Sequence, residues 1–354
     1  MAGIGKYIFL FLIVANLFWA CSKGDEEHIL DEKNPITFSV SAHLMPDEDP
    51  GARATIYENS TSLYDEALGG GNFMVYSYPT RTSDCYFAGR VWYFEQADKW
   101  WFRDGNDIYD TYWPKSQNLN FIAYMPWDLT ASNSNYITVN EFVYANGPSF
   151  VCNLPKVSQN VDNMQEFIYS YRTVLSNELV DLQFVHPFAV VYFKLTQSHR
   201  DLTIHSITFE NAYNQGTYSN PMDTKVDGFM HADWIPEPTG TRGRKIIVEK
   251  QIPNDINFDA EIGGPYLVMP QSFEGTTDAE DLTIAIEYSW DTYDHEVARV
   301  KLNAVGTAED RLGWKSGVKY RYTLDMGDNK EEILFKVLVE KWDSVSYKNE
   351  IDVE

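Results

Sequence analysis

Beyond residue 35 no stretch repeats its apolar residues at the 3.6-residue period of a helix. Short runs alternate instead, and they break at Gly, Pro, Asn and Asp. The cleanest is 35–44, with Ile36, Phe38, Val40, Ala42 and Leu44 on one side and Thr37, Ser39, Ser41 and His43 on the other. Successive side chains of a strand point to opposite faces, so this is the pattern of a strand with one face buried. Runs at 72–78 and 119–125 predict strands as well, and 85–94 with 99–102 predicts a hairpin around 95–98. Residues 132–163, rich in Asn and Ser, read as surface loops. The most apolar stretch past the N-terminus is 180–195, VDLQFVHPFAVVYFKL, where the apolar parity changes across Pro187 and predicts a bulge or strand break. Further runs at 202–209, 245–248, 262–269, 282–288, 296–302, 320–324 and 333–339 complete an all-β reading. A chain of 354 residues exceeds what one core usually serves, which predicts two β-sandwich domains in tandem, of about 150 residues each.

The N-terminus has a different character. Lys6 precedes an uncharged apolar run, 7–20, and Ala20 stands directly before Cys21, which is the form of a signal peptide ending in a lipobox. As a helix this run spans only about 21 Å, against a hydrocarbon core of about 30 Å, which disfavours a permanent transmembrane anchor. Cleavage before Cys21 leaves its sulfur to carry diacylglycerol, and two or more acyl chains hold a protein on a membrane stably. The acidic residues after it, Asp25, Glu26 and Glu27, have two readings: an export signal to the outer face of an outer membrane, or a solvated linker. The expected divisions are a signal peptide at 1–20, an acidic tether at 21–35, domains at 36–179 and 180–342, and a terminal strand at 343–354.

Net charge is −24, and loss of Lys6 with the leader makes it one unit more negative. Nucleic acid and anionic lipid headgroups are poor partners for such a field. Cys85 and Cys152 are the remaining cysteines on an oxidising route, and they read as two buried thiols, with a disulfide between them as the alternative. No phosphate-binding glycine loop, HExxH or GxSxG occurs, so no catalytic residue, metal or cofactor is expected. His186, embedded in an apolar strand, reads as a hydrogen-bonded core histidine. Trp92, Trp100, Trp101, Trp113 and Trp127 read as core aromatics, a sugar-stacking platform being the alternative.

Two further features concern processing and assembly. The acidic loop 45–51 leads to Arg53 in GARATIY, an exposed basic residue with small neighbours that a trypsin-like protease enters easily, cutting between Arg53 and Ala54. Past Trp342, Val345, Tyr347, Ile351 and Val353 share one parity, interrupted only by Asn349, a strand pattern beyond the last domain.

Taken in order, the Cys21 lipobox, ITFSV, ARAT at 52–55, YWP at 112–114 before LNFIAYMP, LQFVHPFAVVYFK, GWKSGVKYRYTL and ILFKVLVEKW resemble the fimbrillin family, Mfa-like lipoprotein-derived pilus subunits of Gram-negative anaerobes. The resemblance implies two transthyretin-like antiparallel β-sandwich domains, no catalysis, and assembly in which an Arg-directed protease removes the first strand and a neighbour's strand replaces it. On this chain the expectation is cleavage after Arg53, displacement of Ile36, Phe38, Val40, Ala42 and Leu44, and donation of Val345, Tyr347, Ile351 and Val353. The expected partners are other pilus subunits, the outer membrane through the lipid on Cys21, and a host or bacterial surface ligand. The alternatives are a monomeric outer-membrane lipoprotein that binds glycans, and an anchor or tip subunit of the same pilus.

Overall fold

A computed structural model describes residues 30–42, 334–341 and 71–325, the last without 81, 83, 98, 105–106, 116, 132–133, 141–148, 159–163, 199–200, 220–224, 227–228, 231–232, 291–292 and 309–310. Among the described residues the regular structure is strand, with short 3-10 turns at Glu95–Ala97, Asp278–Glu280 and Leu302–Ala304 and no α-helix. The all-β reading holds.

A six-stranded antiparallel sheet runs in the order Ile168–Val174, Leu119–Met125, Asn72–Pro79, Phe87–Phe94, Lys99–Asp104 and Asp107–Tyr109. Period-two alternation turns Phe73, Val75, Val91, Phe102, Phe121 and Ala123 inward, where they meet Val180, Leu182 and Phe184. The strand Leu119–Met125 is buried along its whole length, because its other face serves a second cluster through Ile122 and Tyr124. The predicted hairpin at 85–94 and 99–102 is present, with the 3-10 turn Glu95–Ala97 at its tip.

Four strands past Pro187, joined at one edge by Val157–Ser158 from before it, form a five-stranded sheet in the order Val157–Ser158, Arg242–Ile252, Leu202–Tyr213, Thr283–Trp290 and Tyr293–Lys301. A four-stranded sheet, Asp255–Val268, Ala189–Ser198, Val318–Asp325 and Leu334–Lys341, completes this part. Ile204, Ile207, Phe209, Ile284 and Ile286 from the first and Val191, Phe193, Tyr320 and Tyr322 from the second share one core cluster. Among the described residues most ladders are antiparallel, but three pairings are parallel: Phe38–Ala42 with Val180–Phe184, Ala189–Ser198 with Val318–Asp325, and Val157–Ser158 with Arg242–Ile252. Parallel neighbours need a long crossover, and here Ser39 and Asp181 are 142 residues apart in sequence.

The stretch 132–163, expected as surface loops, contributes strands. Ile137–Val139 and Ser149–Asn153 join Gln215–Ser219 and Asp233–Pro236 in a further four-stranded sheet. Ile137, Phe150, Cys152 and Leu154 are buried, so a few apolar residues outweigh the Asn and Ser around them. This sheet packs on Ile122, Tyr124 and Tyr169 from one side and on Val190, Tyr192 and Leu267 from the other. Strand 180–195 breaks where expected, between Phe184 and Ala189. Val180–Phe184, placed by the sequence at the start of the second half, pairs instead with Phe38–Ala42 and packs in the first cluster. Of the two expected buried thiols only Cys152 is one: it is free and fully buried, which pushes its titration up, whereas Cys85 is half-buried; the alternative of a bridge between them is not realised.

Candidate functional site

The segment expected to be displaced lies across the first cluster as a strap. Leu30–Pro35 pairs antiparallel with Tyr112–Pro114, the YWP of the sequence. At Ile36 the partner changes: its N–H donates to the Thr111 carbonyl at 2.7 Å, and the next carbonyl, of Thr37, accepts from the Val180 N–H at 3.0 Å. From there Phe38–Ala42 runs parallel to Val180–Phe184, which is its one ladder partner among the described residues. Removing the whole strap breaks this ladder and the one that Leu30–Pro35 makes with Tyr112–Pro114.

Alternation sends Ile36, Phe38 and Val40 into the core. Each contributes about 1.5–3 kcal/mol by burial, so the strap is held mainly by three side chains. Phe38 has the most specific seat: its ring stands edge-on to Phe73 at 5.8 Å, Phe102 at 5.6 Å and Phe121 at 6.1 Å. Trp113, from the strap's other partner strand, closes on Phe121 at 5.8 Å. On the outward side Ser39 Oγ donates to Asp181 Oδ1 at 2.8 Å. The same aspartate accepts from Gln183 Nε2 at 3.1 Å and lies 3.8 Å from Arg172 Nη2. The arrangement is a slot with apolar floor, an aromatic box at its middle and one carboxylate on its rim.

Ile36, Phe38 and Val40 thus come together as the sequence predicts, and Ala42 ends the same strand. Leu44, Cys21, Arg53, Ala54, Val345, Tyr347, Ile351 and Val353 lie outside the described residues. Sequence reasoning missed Asp181 and the parallel partner strand. The only signal was the shared parity of Val180, Leu182 and Phe184, which marks a buried face without saying what covers it.

The tryptophans divide. Trp100 and Trp113 are core residues, with no face for a sugar. Trp92 carries the Arg90 guanidinium 3.7 Å from its ring centre and that of Arg103 at 4.6 Å, while Arg90 also lies 3.8 Å from Trp127. These rings are engaged in cation–π stacking; Trp127 is 39% exposed. His186 Nδ1 lies 2.6 Å from Glu166 Oε1, both side chains within the core, as expected of a structural histidine. Among the described residues no three His, Cys, Asp or Glu side chains come together as metal ligands do.

A family model described as fimbrillin-like matches residues 63–342. A fimbrial protein from Bacteroides vulgatus is 15% identical with a TM-score of 0.51, over 87% of this chain and 99% of that one. A proposed cell adhesion protein from Bacteroides uniformis is 13% identical with a TM-score of 0.50, again over 87% of this chain and 99% of that one. At such identities the likeness is one of fold. No curated protein matches the chain.

Proposed function

The chain belongs to the fimbrillin-like family, structural proteins of the cell surface without enzymatic activity, and from that premise we propose that it is a stalk or accessory subunit of a pilus assembled by strand exchange. It is exported as a lipoprotein on Cys21 and then cut between Arg53 and Ala54. The cut frees the strap, including Ile36, Phe38, Val40, Ala42 and Leu44. A neighbour's tail, with Val345, Tyr347, Ile351 and Val353, takes its place. In this reading the subunit is two tandem sandwiches, joined near Pro187.

The observation that carries it is the strap itself. A strap held by two short ladders, each to one strand, and by three buried side chains is removable, and the slot it leaves has unpaired N–H and C=O groups along Val180–Phe184 beside exposed apolar surface. Strand addition answers both deficits at once. Filling that slot from another copy is a head-to-tail contact that does not close, and so gives a fibre.

Arg53→Ala is the test. The variant is expected to stay on the outer membrane as an uncut lipoprotein without polymer, whereas polymer formed at the parent level defeats the scheme. The N-terminal residue of the protein taken from the cell surface is then Ala54 for a stalk subunit and Cys21 for an anchor. The glycan-binding alternative loses Trp100 and Trp113 to the core, while Trp92 and Trp127 are stacked on Arg90 and Trp101 is half-buried against Phe94.

A further inference from the structure

The slot beside Val180–Phe184 accepts a period-two strand in either direction, and spacing alone does not choose between them. Run parallel, Val345, Tyr347, Asn349, Ile351 and Val353 take the places of Ile36, Phe38, Val40, Ala42 and Leu44 in that order. Run antiparallel, the same five residues fill the same five places in reverse, with Asn349 again at the position of Val40.

Two features of the slot break the tie. Resting on the strand exchange proposed above, we infer that the tail of a neighbouring copy enters parallel to Val180–Phe184, with Tyr347 in the seat of Phe38 and Lys348 beside Asp181. The first feature is the box of Phe73, Phe102 and Phe121, whose rings stand 5.6–6.1 Å from that of Phe38 and mostly edge-on. Such a seat favours an aromatic ring over an aliphatic chain. The parallel run delivers Tyr347, the one aromatic residue of 345–353, to this box; the antiparallel run delivers Ile351 and sends Tyr347 to the place of the small Ala42. The second feature is the rim. Ser39 is the cross-strand partner of Asp181 and donates to its carboxylate. The parallel run puts Lys348 in the place of Ser39, a cation facing a carboxylate, and leaves Glu350 facing neutral Gln183. The antiparallel run puts Glu350 against Asp181, and like charges directly opposed across two strands repel. Arg172 relieves that repulsion little, since it reaches the carboxylate only at 3.8 Å and is itself half exposed.

Cross-linking in polymers made by the full, naturally processed chain reads the direction. Directly opposed strand residues have Cα atoms at a disulfide-compatible spacing. Asp181→Cys with Lys348→Cys in one chain is expected to give a ladder of linked subunits on a non-reducing gel, and Asp181→Cys with Glu350→Cys none above the parent, whose native cysteines set the background. The reverse pattern overturns the inference in favour of an antiparallel donor. Polymers in which neither pair links overturn it while leaving strand exchange intact, and a link within one chain puts the tail in its own slot. Asp181 is a half-exposed rim residue, so its substitution spares the core. Charge exchange is the second arm: Asp181→Lys or Lys348→Glu alone is expected to lower polymer yield, and the two together to restore it. Restoration failing while both proteins fold also overturns the pairing. Asn349→Val separates the two levels, because it fills the seat of Val40 in both directions: resistance of polymers to dissociation rises if exchange occurs at all, and no change counts against the exchange itself.

Discussion

Glu287 shows what one side chain contributes on the face of the five-stranded sheet that turns from the core. Its carboxylate receives Lys245 Nζ at 2.9 Å and Ser206 Oγ at 2.9 Å on one oxygen and faces His295 Nδ1 at 3.1 Å on the other. His295 stacks on His205 with ring centres 4.2 Å apart. The Lys245 contact above all, then Ser206, pulls the Glu287 carboxyl down to about 2 from an ordinary 4.5. A carboxyl depressed in the folded state stabilises it fully above the ordinary value, and that contribution is lost as pH falls from 4.5 toward about 2. Glu287→Gln therefore flattens the acid limb of a thermal-midpoint-against-pH curve in that window. The difference is under about 1 kcal/mol, because the group is near solvent and screened. Parallel curves for the two proteins would show that the cluster is without energetic weight. Nothing in the sequence brings Lys245, Ser206, Glu287 and His295 together: they stand on four different strands, and only cross-strand register makes them neighbours.

Among the elements, the strap is the one whose energetics differ between the two states the protein is proposed to occupy. Phe38 meets three phenylalanine rings, and truncating such a residue costs about 3–5 kcal/mol in lost transfer and cavity. Phe38→Ala accordingly lowers the unfolding midpoint of the uncut precursor strongly. The same substitution leaves the processed polymer as resistant to dissociation as the parent, since the residue has left with the strap. A polymer weakened equally by Phe38→Ala would place the strap in the mature fibre. The strap's face was legible because period two survives in Ile36, Phe38 and Val40 whatever lies opposite. Its partner was not, because alternation is silent about pairing and the partner strand lies 142 residues on. Legibility failed differently at 137–153, where Phe150 and Cys152 are diluted among polar residues, and the burial that makes Ser149–Asn153 a strand is supplied by Tyr169 and Tyr218 from elsewhere. Pro187 was readable for a local reason: a proline cannot donate to a ladder, so the strand had to stop.

Over the whole molecule, the crossing at Glu166 and 186–188 joins what the sheets keep apart. Phe184 belongs to the cluster under the strap, Phe188 to the cluster under the sheet of Ser149–Asn153, and Val191 to the cluster beyond. The chain passes from the first to the last within eight residues, and the passage is pinned from several sides. Trp234 Nε1 and Ser316 Oγ both donate to the Pro187 carbonyl, Gly317 N–H donates to that of Phe188 at 2.9 Å, and Trp234 packs on Phe188 with ring centres 5.1 Å apart. Beneath them His186 and Glu166 share a 2.6 Å contact with side chains 1% and 0% exposed. Removing one partner of so buried a hydrogen-bonded pair costs about 1–3 kcal/mol. Because the middle cluster takes residues from both flanking sheets, that cost is felt on both sides of Pro187. The parent is therefore expected to unfold in one calorimetric transition, and Trp234→Ala, which empties the seat over Phe188 and the Pro187 carbonyl, to split it in two or lower it as a whole. Two independent transitions in the parent would mean that the middle cluster does not couple the halves.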